Sequence, residues 1–294
     1  MARMKLASLF VACTLVLCAE TKEYVYRTTP HGELKIHVFL PQGWKPSDQR
    51  PGILFFFGGG FVNGSPEVFF SKAEYLAQRG MVAASAEYRI MNKHRTLPDA
   101  AIEDCREAMK WMRKKARELG LDGNRLAASG GSAGGTCAAA TAYGPDPQAR
   151  PNALVLYNPS MDSNRARVEA RKEGLSAADV DRLMEMLSPV RHVKKGAVPS
   201  VQFFGTEDAL LAGARKFVAR SLAAGNRAEL FTANGQKHGF FNDRKGQSKW
   251  HLATLAQTDR FLVSLGWLQG AGTITVPQDA VLVKEHVEAA EASN

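Results

Sequence analysis

The sequence predicts an α/β fold, a mostly parallel central sheet with helices on both faces. Short apolar runs alternate with longer amphipathic stretches along the chain. Several of those runs are apolar without a break, the pattern of strands buried on both faces. With 45% of the 294 residues hydrophobic, there is material for one large core.

Taken in order, residues 23–28 and 34–40 alternate in character around Pro30, His31 and Gly32 and read as a hairpin. Residues 52–57 (Gly-Ile-Leu-Phe-Phe-Phe) run apolar between Pro51 and three glycines, a strand with no solvent face. Residues 81–87, 125–129, 153–157, 200–204 and 228–232 repeat that pattern. Helical stretches at 67–79, 98–119, 133–142, 210–224 and 247–265 separate them. The clearest is 98–119, where Ala101, Cys105, Ala108 and Met112 share one face. The charged, amphipathic stretch 165–187 breaks the alternation. It reads either as a small helical insertion over the active site, a lid within 160–200, or as an ordinary crossover helix. One domain is thus expected over 20–270. Residues 271–294 read as a loosely docked tail with a little β-character at 273–276.

Arg3 and Lys5 precede an uncharged, mostly apolar run at 6–19, which Glu20, Lys22 and Glu23 end. The run is short for a membrane span and has the flanks of a secretory signal peptide, 1–19, so export (periplasmic or secreted) is expected. An uncleaved anchor, or a lipoprotein attached through Cys13 or Cys18, is the alternative. No integral membrane span is expected after signal removal. The formal charge of +9 is scattered, with no zinc-finger spacing or basic heptads, so nucleic acid is not an expected partner. Cys105 and Cys137 read as unpaired buried thiols, with a disulfide in an oxidising compartment as the alternative, and no spacing suggests a metal site.

In such sheets the ligand crevice lies beyond the carboxyl ends of the parallel strands. Gly130-Gly131-Ser132-Ala133-Gly134 falls there, between the strand at 125–129 and the small-residue helix at 133–142. Gly-x-Ser-x-Gly on a strand–turn–helix corner is the nucleophile elbow, where larger side chains two positions away would collide. Alone the pattern is weak, and its placement is what strengthens it. The stretch Phe55 to Pro66, FFFGGGFVNGSP, leaves the N–H groups of three glycines free to point into the crevice, as an oxyanion requires. A phosphate loop would need Gly-Lys-Ser/Thr, and Phe61-Val62 stands there instead.

A serine nucleophile needs a base and a group that orients it. Of the seven histidines, His238 is both late in the chain and just past a strand end. Asp208, after the strand at 200–204, is the favoured acid; Asp162, after the preceding strand, is its rival. The order Ser132, Asp208, His238 is the one found in one family of serine hydrolases. Phe61, His94 and Phe240 are candidates for the substrate pocket.

With these motifs the chain resembles the α/β-hydrolase esterases of the hormone-sensitive-lipase-like and bacterial acetyl- or feruloyl-esterase groups. The resemblance runs from about Tyr24 to Gly270. It rests on the triple glycine, Glu87-Tyr88-Arg89, GGSAGG at 130–135, GTEDALL at 205–211 and KHGFF at 237–241. Those families usually carry His-Gly-Gly-Gly where this chain has Phe57-Gly58-Gly59-Gly60. The resemblance implies that Gly59, Gly60 and Ala133 supply oxyanion donors and that no metal or organic cofactor is needed. It further implies hydrolysis of short acyl esters, acetyl foremost, of small molecules or carbohydrates. An exopeptidase or amidase with the same triad, and a non-catalytic binding protein on the same fold, are the competing readings.

Overall fold

The computed structural model describes residues 20–164, 168, 174–243 and 248–289. The signal-like run at 6–19 lies outside them.

The apolar run after Arg50 becomes β3 (Arg50–Phe56), whose residues from Ile53 onward have no exposed surface. It sits inside a nine-stranded sheet with β1 (Glu20–Thr29), β2 (Gly32–Leu40), β4 (Val82–Ala86) and β5 (Leu121–Gly131). The remaining strands are β6 (Ala153–Tyr157), β7 (Ser200–Gly205), β8 (Ala228–Ala233) and β9 (Leu282–Lys284). The spatial order is β1-β2-β4-β3-β5-β6-β7-β8-β9. The hairpin β1–β2 joins β4 antiparallel, β4 through β8 are parallel to one another, and β9 closes the far edge antiparallel to β8. The parallel strands are the uninterrupted apolar runs because helices cover both of their faces.

The main helices are α1 (Phe70–Gln78), α2 (Pro98–Lys114), α3 (Ala133–Tyr143), α4 (Ala177–Met186), α5 (Leu211–Ala223) and α6 (Lys249–Ser264). Tyr75 and Arg79 at α1 bind Asp259 of α6, which joins those two on one face. On the other face α3 lies against α2, and Tyr143 meets the ring of Phe217 on α5. Asp104 of α2, fully buried, accepts from Arg27 of β1 and from Arg89 just past β4. Burying a carboxylate this deeply is tolerated because two guanidiniums and the Arg89 amide satisfy it. The predicted helix 98–119 is interrupted at Lys115. It resumes as one turn, Ala116–Leu119, which Gly120 closes in the left-handed conformation (φ 60°).

One expectation needs correction. The tail does not form a strand at 273–276. It pairs through Leu282–Lys284, the Glu285 amide donates to the Leu230 carbonyl, and Arg215 forks onto the Glu285 carboxylate. Edge pairing is a backbone event, so the β-propensity of 273–276 did not decide which residues made it. Within 160–200, α4 packs against α2, where Arg182 bonds Asp99. Of the described residues there, Ser160 alone lines the cavity that also holds Ser132. Residues 165–167 and 169–173, inside the predicted insertion, lie outside the described residues.

Candidate active site

Ser132 caps α3 with φ 51° and ψ −119°, a backbone conformation that non-glycine residues rarely hold. The Ser132 amide donates to the Tyr157 carbonyl of β6, which fixes the corner against the sheet. Gly134 makes the corner sterically possible. A Cβ there would lie 2.1 Å from the Phe56 carbonyl oxygen and 2.2 Å from that of Phe57. Both obstacles are main chain and cannot swing away. Gly134→Ala is therefore expected to destabilise the protein by about 2–4 kcal/mol. That corresponds to roughly a 5–15 °C fall in melting temperature, to be read by thermal denaturation.

Asp208 follows β7 and His238 follows β8, so neighbouring parallel strands deliver both to the same rim as Ser132. His238 Nδ1 lies 2.8 Å from Asp208 Oδ2, and His238 Nε2 lies 2.8 Å from Ser132 Oγ. An ionised carboxylate only accepts, so the imidazole proton sits on Nδ1. The Nε2 lone pair then faces the serine hydroxyl. Burial pushes the Asp208 carboxyl pKa up. Hydrogen bonds from His238, the Leu210 amide and Asn158 outweigh that and hold it below the ordinary value. Asp208 is nearly buried, whereas the His238 side chain is 43% exposed at the mouth of the cavity. The rival acid Asp162 is instead paired with Lys216, 2.8 Å away.

A cavity of about 530 Å³ opens on this line of groups. Gly60, Phe61, Ala133, Thr136, Ser160 and Leu210 are on its wall, and Glu207 and Lys237 reach it as well. Gly59 does not line it; its carbonyl accepts from the Val62 and Asn63 amides and turns the loop. Gly60 and Ala133 line the same cavity as Ser132. Phe61 lines the cavity, but His94 and Phe240, expected there, do not. The buried His94 ring accepts the Ile90 amide at Nδ1, and Phe240 packs edge-on against Trp250 and Phe241.

Phe57 stands where a histidine was expected from the resemblance, and the structure shows what holds the loop. Its ring stacks on Tyr88 at 4.0 Å, and the Tyr88 hydroxyl donates to the Phe57 carbonyl at 2.6 Å. Asn158, just past β6, is absent from the residues singled out by sequence. Its Nδ2 donates to Asp208 Oδ2 at 2.7 Å, and its own backbone is left-handed (φ 48°). The only sequence signal for it is a polar residue at the end of an apolar strand.

A family profile described as alpha/beta hydrolase fold matches residues 53–242. The chain belongs to the α/β-hydrolase family. Esterase 2 of Thermogutta terrifontis, solved with propionate bound, is similar to this α/β hydrolase at 38% identity and a TM-score of 0.77. That match covers 86% of this chain and 97% of the other. The same enzyme phosphorylated by paraoxon matches at 36% identity and TM-score 0.77, over 85% and 96% of the two chains. Among curated relatives, esterase LipI of Mycobacterium tuberculosis is 33% identical over 114 residues, 38% of this chain and 35% of LipI. Ethyl acetate hydrolase of Pseudomonas putida is 30% identical over 152 residues, 50% of this chain and 47% of that enzyme. The α/β hydrolase thus spans from about a third to a half of the length of the curated relatives it matches.

Proposed function

We propose that this α/β hydrolase is a serine esterase that removes short acyl groups, acetyl foremost, from small-molecule or carbohydrate esters. The observation that carries the reading is the continuous hydroxyl–imidazole–carboxylate line, 2.8 Å at each step, opening on a cavity that Gly60 and Ala133 also line.

In this reading His238 Nε2 takes the Ser132 proton as Oγ attacks the ester carbonyl, and Asp208 stabilises the imidazolium. Amides at Gly60 and Ala133 receive the oxyanion, where one donor contributes about 3–4 kcal/mol. Collapse expels the alcohol, which leaves with the proton from His238. Water, deprotonated by the same imidazole, then releases the acid and restores the serine hydroxyl. The cavity volume suits a small ester, and its mixed apolar and hydroxyl lining suits a short acyl chain beside a polar alcohol. The Thermogutta enzyme was also solved with butyrate bound, which supports the short-acyl reading. The positive, then apolar composition of residues 3–19 supports export of the chain.

Paraoxon treatment followed by peptide mass mapping is expected to place one diethylphosphoryl group on Ser132. Matched nitrophenyl esters and anilides are expected to be cleaved as esters only, fastest at two to four acyl carbons. Absence of labelling, or preference for the anilide, would overturn the proposal.

A further inference from the structure

The loop that carries His238 is followed at once by Phe241, whose ring fills the space behind the elbow. A Cβ on Gly131 would lie 2.4 Å from Phe241 Cζ, and the ring also packs against Tyr157 and Phe69. Beneath it lies a lysine that the mechanism does not use. Lys72, on α1, is 1% exposed. Its Nζ lies 2.9 Å from His251 Nδ1 on α6 and 3.4 Å from the Phe241 carbonyl oxygen. It also stands over the Tyr157 ring at 5.0 Å. Among the described residues no carboxylate comes within ion-pair distance of it.

We propose, resting on the esterase reading above, that Lys72 is a positioning residue: its buried amine ties the loop bearing His238 to α1 and α6 and so holds the imidazole at the serine hydroxyl. The argument is one of donors and acceptors. The loop crosses three residues from His238 to the Phe241 carbonyl, and Lys72 is a donor to that carbonyl. His251, on a different helix, accepts the amine's other bond. The clamp thus joins the His238 loop to α1 and α6, and among the described residues the amine's other close neighbours are the Tyr157 and Phe241 rings. Burial lowers the Lys72 pKa to about 7, with Asp243 on the loop opposing that fall. Burial and the neighbouring amine lower His251 to about 4. Even as the neutral form, the amine keeps two N–H groups for its two acceptors, so the tie survives its titration.

The test compares Lys72→Met and Lys72→Gln with the wild type by hydrogen exchange over 234–243, melting temperature, and ester kinetics. Lys72→Met keeps the volume and removes every donor. It is expected to melt a few degrees lower, because His251 Nδ1 and the Phe241 carbonyl lose their donor in a buried site, so exchange and kinetics are read well below its transition. Loop exchange should accelerate and kcat fall about 10- to 100-fold, with KM little changed. Lys72→Gln, which retains a shorter donor, should recover part of the kcat loss. Wild-type exchange in the loop of Lys72→Met overturns the proposal, and so does unchanged kcat despite faster exchange. A loss of kcat that appears only as the variant begins to melt overturns it too. If Lys72→Met does not fold, Lys72→Gln carries the same readings. A wild-type protein without ester turnover would sink the esterase reading instead, and the exchange data would still decide whether Lys72 holds the loop.

Discussion

Ser132→Ala is expected to lower turnover of a short-chain nitrophenyl ester by roughly 10⁴- to 10⁶-fold. The loss should be in kcat, because the hydroxyl makes its decisive bond only as it attacks. Among the described residues no neighbouring group is placed to substitute. Ser160 also lines the cavity, but its hydroxyl faces Ser163, and Thr136 Oγ1 is already engaged with Ser160. Neither hydroxyl has an imidazole among these partners. The fold should hold, since the removed hydroxyl gives up a single half-exposed bond worth about 1 kcal/mol. Ser132→Gly is the useful control. It removes the same nucleophile while relieving the left-handed backbone at φ 51°, so its melting temperature should rise above that of Ser132→Ala. Activity surviving in either variant would remove Ser132 from the reaction.

The parts of the molecule visible in the sequence are those governed by short-range rules. A strand flanked by helices on both faces is mostly apolar, and β3 beyond Arg50 and the whole of β6 announce themselves in that way. The elbow is equally local. Gly130 and Gly134 are demanded by backbone atoms within a few ångströms, so the spacing in sequence is the spacing of the steric problem. With the strand ends located, the order of Ser132, Asp208 and His238 placed all three at one rim.

What the sequence concealed depends on partners far along the chain. Asn158 matters because of Asp208, 50 residues later, and alone it reads as a turn residue before Pro159. Lys72 reads as a solvated helix charge, yet its partner His251 lies 179 residues away. His94 follows a strand end, as a pocket residue would, but its ring turns inward to cap its own helical turn. Tyr88 shows the same limit from the other side. A hydrogen bond and a ring stack brace the loop at Phe57, and no pattern of neighbouring residues predicts that pairing.

Asp208→Asn is expected to lower kcat by about 10⁴-fold while leaving the side chain's shape in place. The reason is the direction of protons. Asp208 Oδ2 faces two donors, His238 Nδ1–H and Asn158 Nδ2, and Oδ1 accepts from the Leu210 amide. An asparagine brings only one oxygen to these three donors. If that oxygen serves Leu210, the new NH₂ meets Asn158 Nδ2 head-on and drives the imidazole proton from Nδ1 to Nε2. The base would then present a proton, not a lone pair, to Ser132. If the oxygen instead serves His238, the Leu210 amide loses its acceptor in a nearly buried site. Either way the ion pair that forms as His238 takes its proton is gone. Stability should respond in a defined direction. The carboxyl's folded pKa is depressed, so its contribution is full at neutral pH and is lost as pH falls through that value. The gap in melting temperature between wild type and Asp208→Asn should therefore be widest near pH 7. It should narrow as the pH drops below about 4. Asp162→Asn, which touches only an exposed pair with Lys216, should leave kcat within about twofold of wild type. If Asp162→Asn were the silent enzyme and Asp208→Asn the active one, the acid would be misassigned and the short contact from Asp208 to His238 would be a bystander.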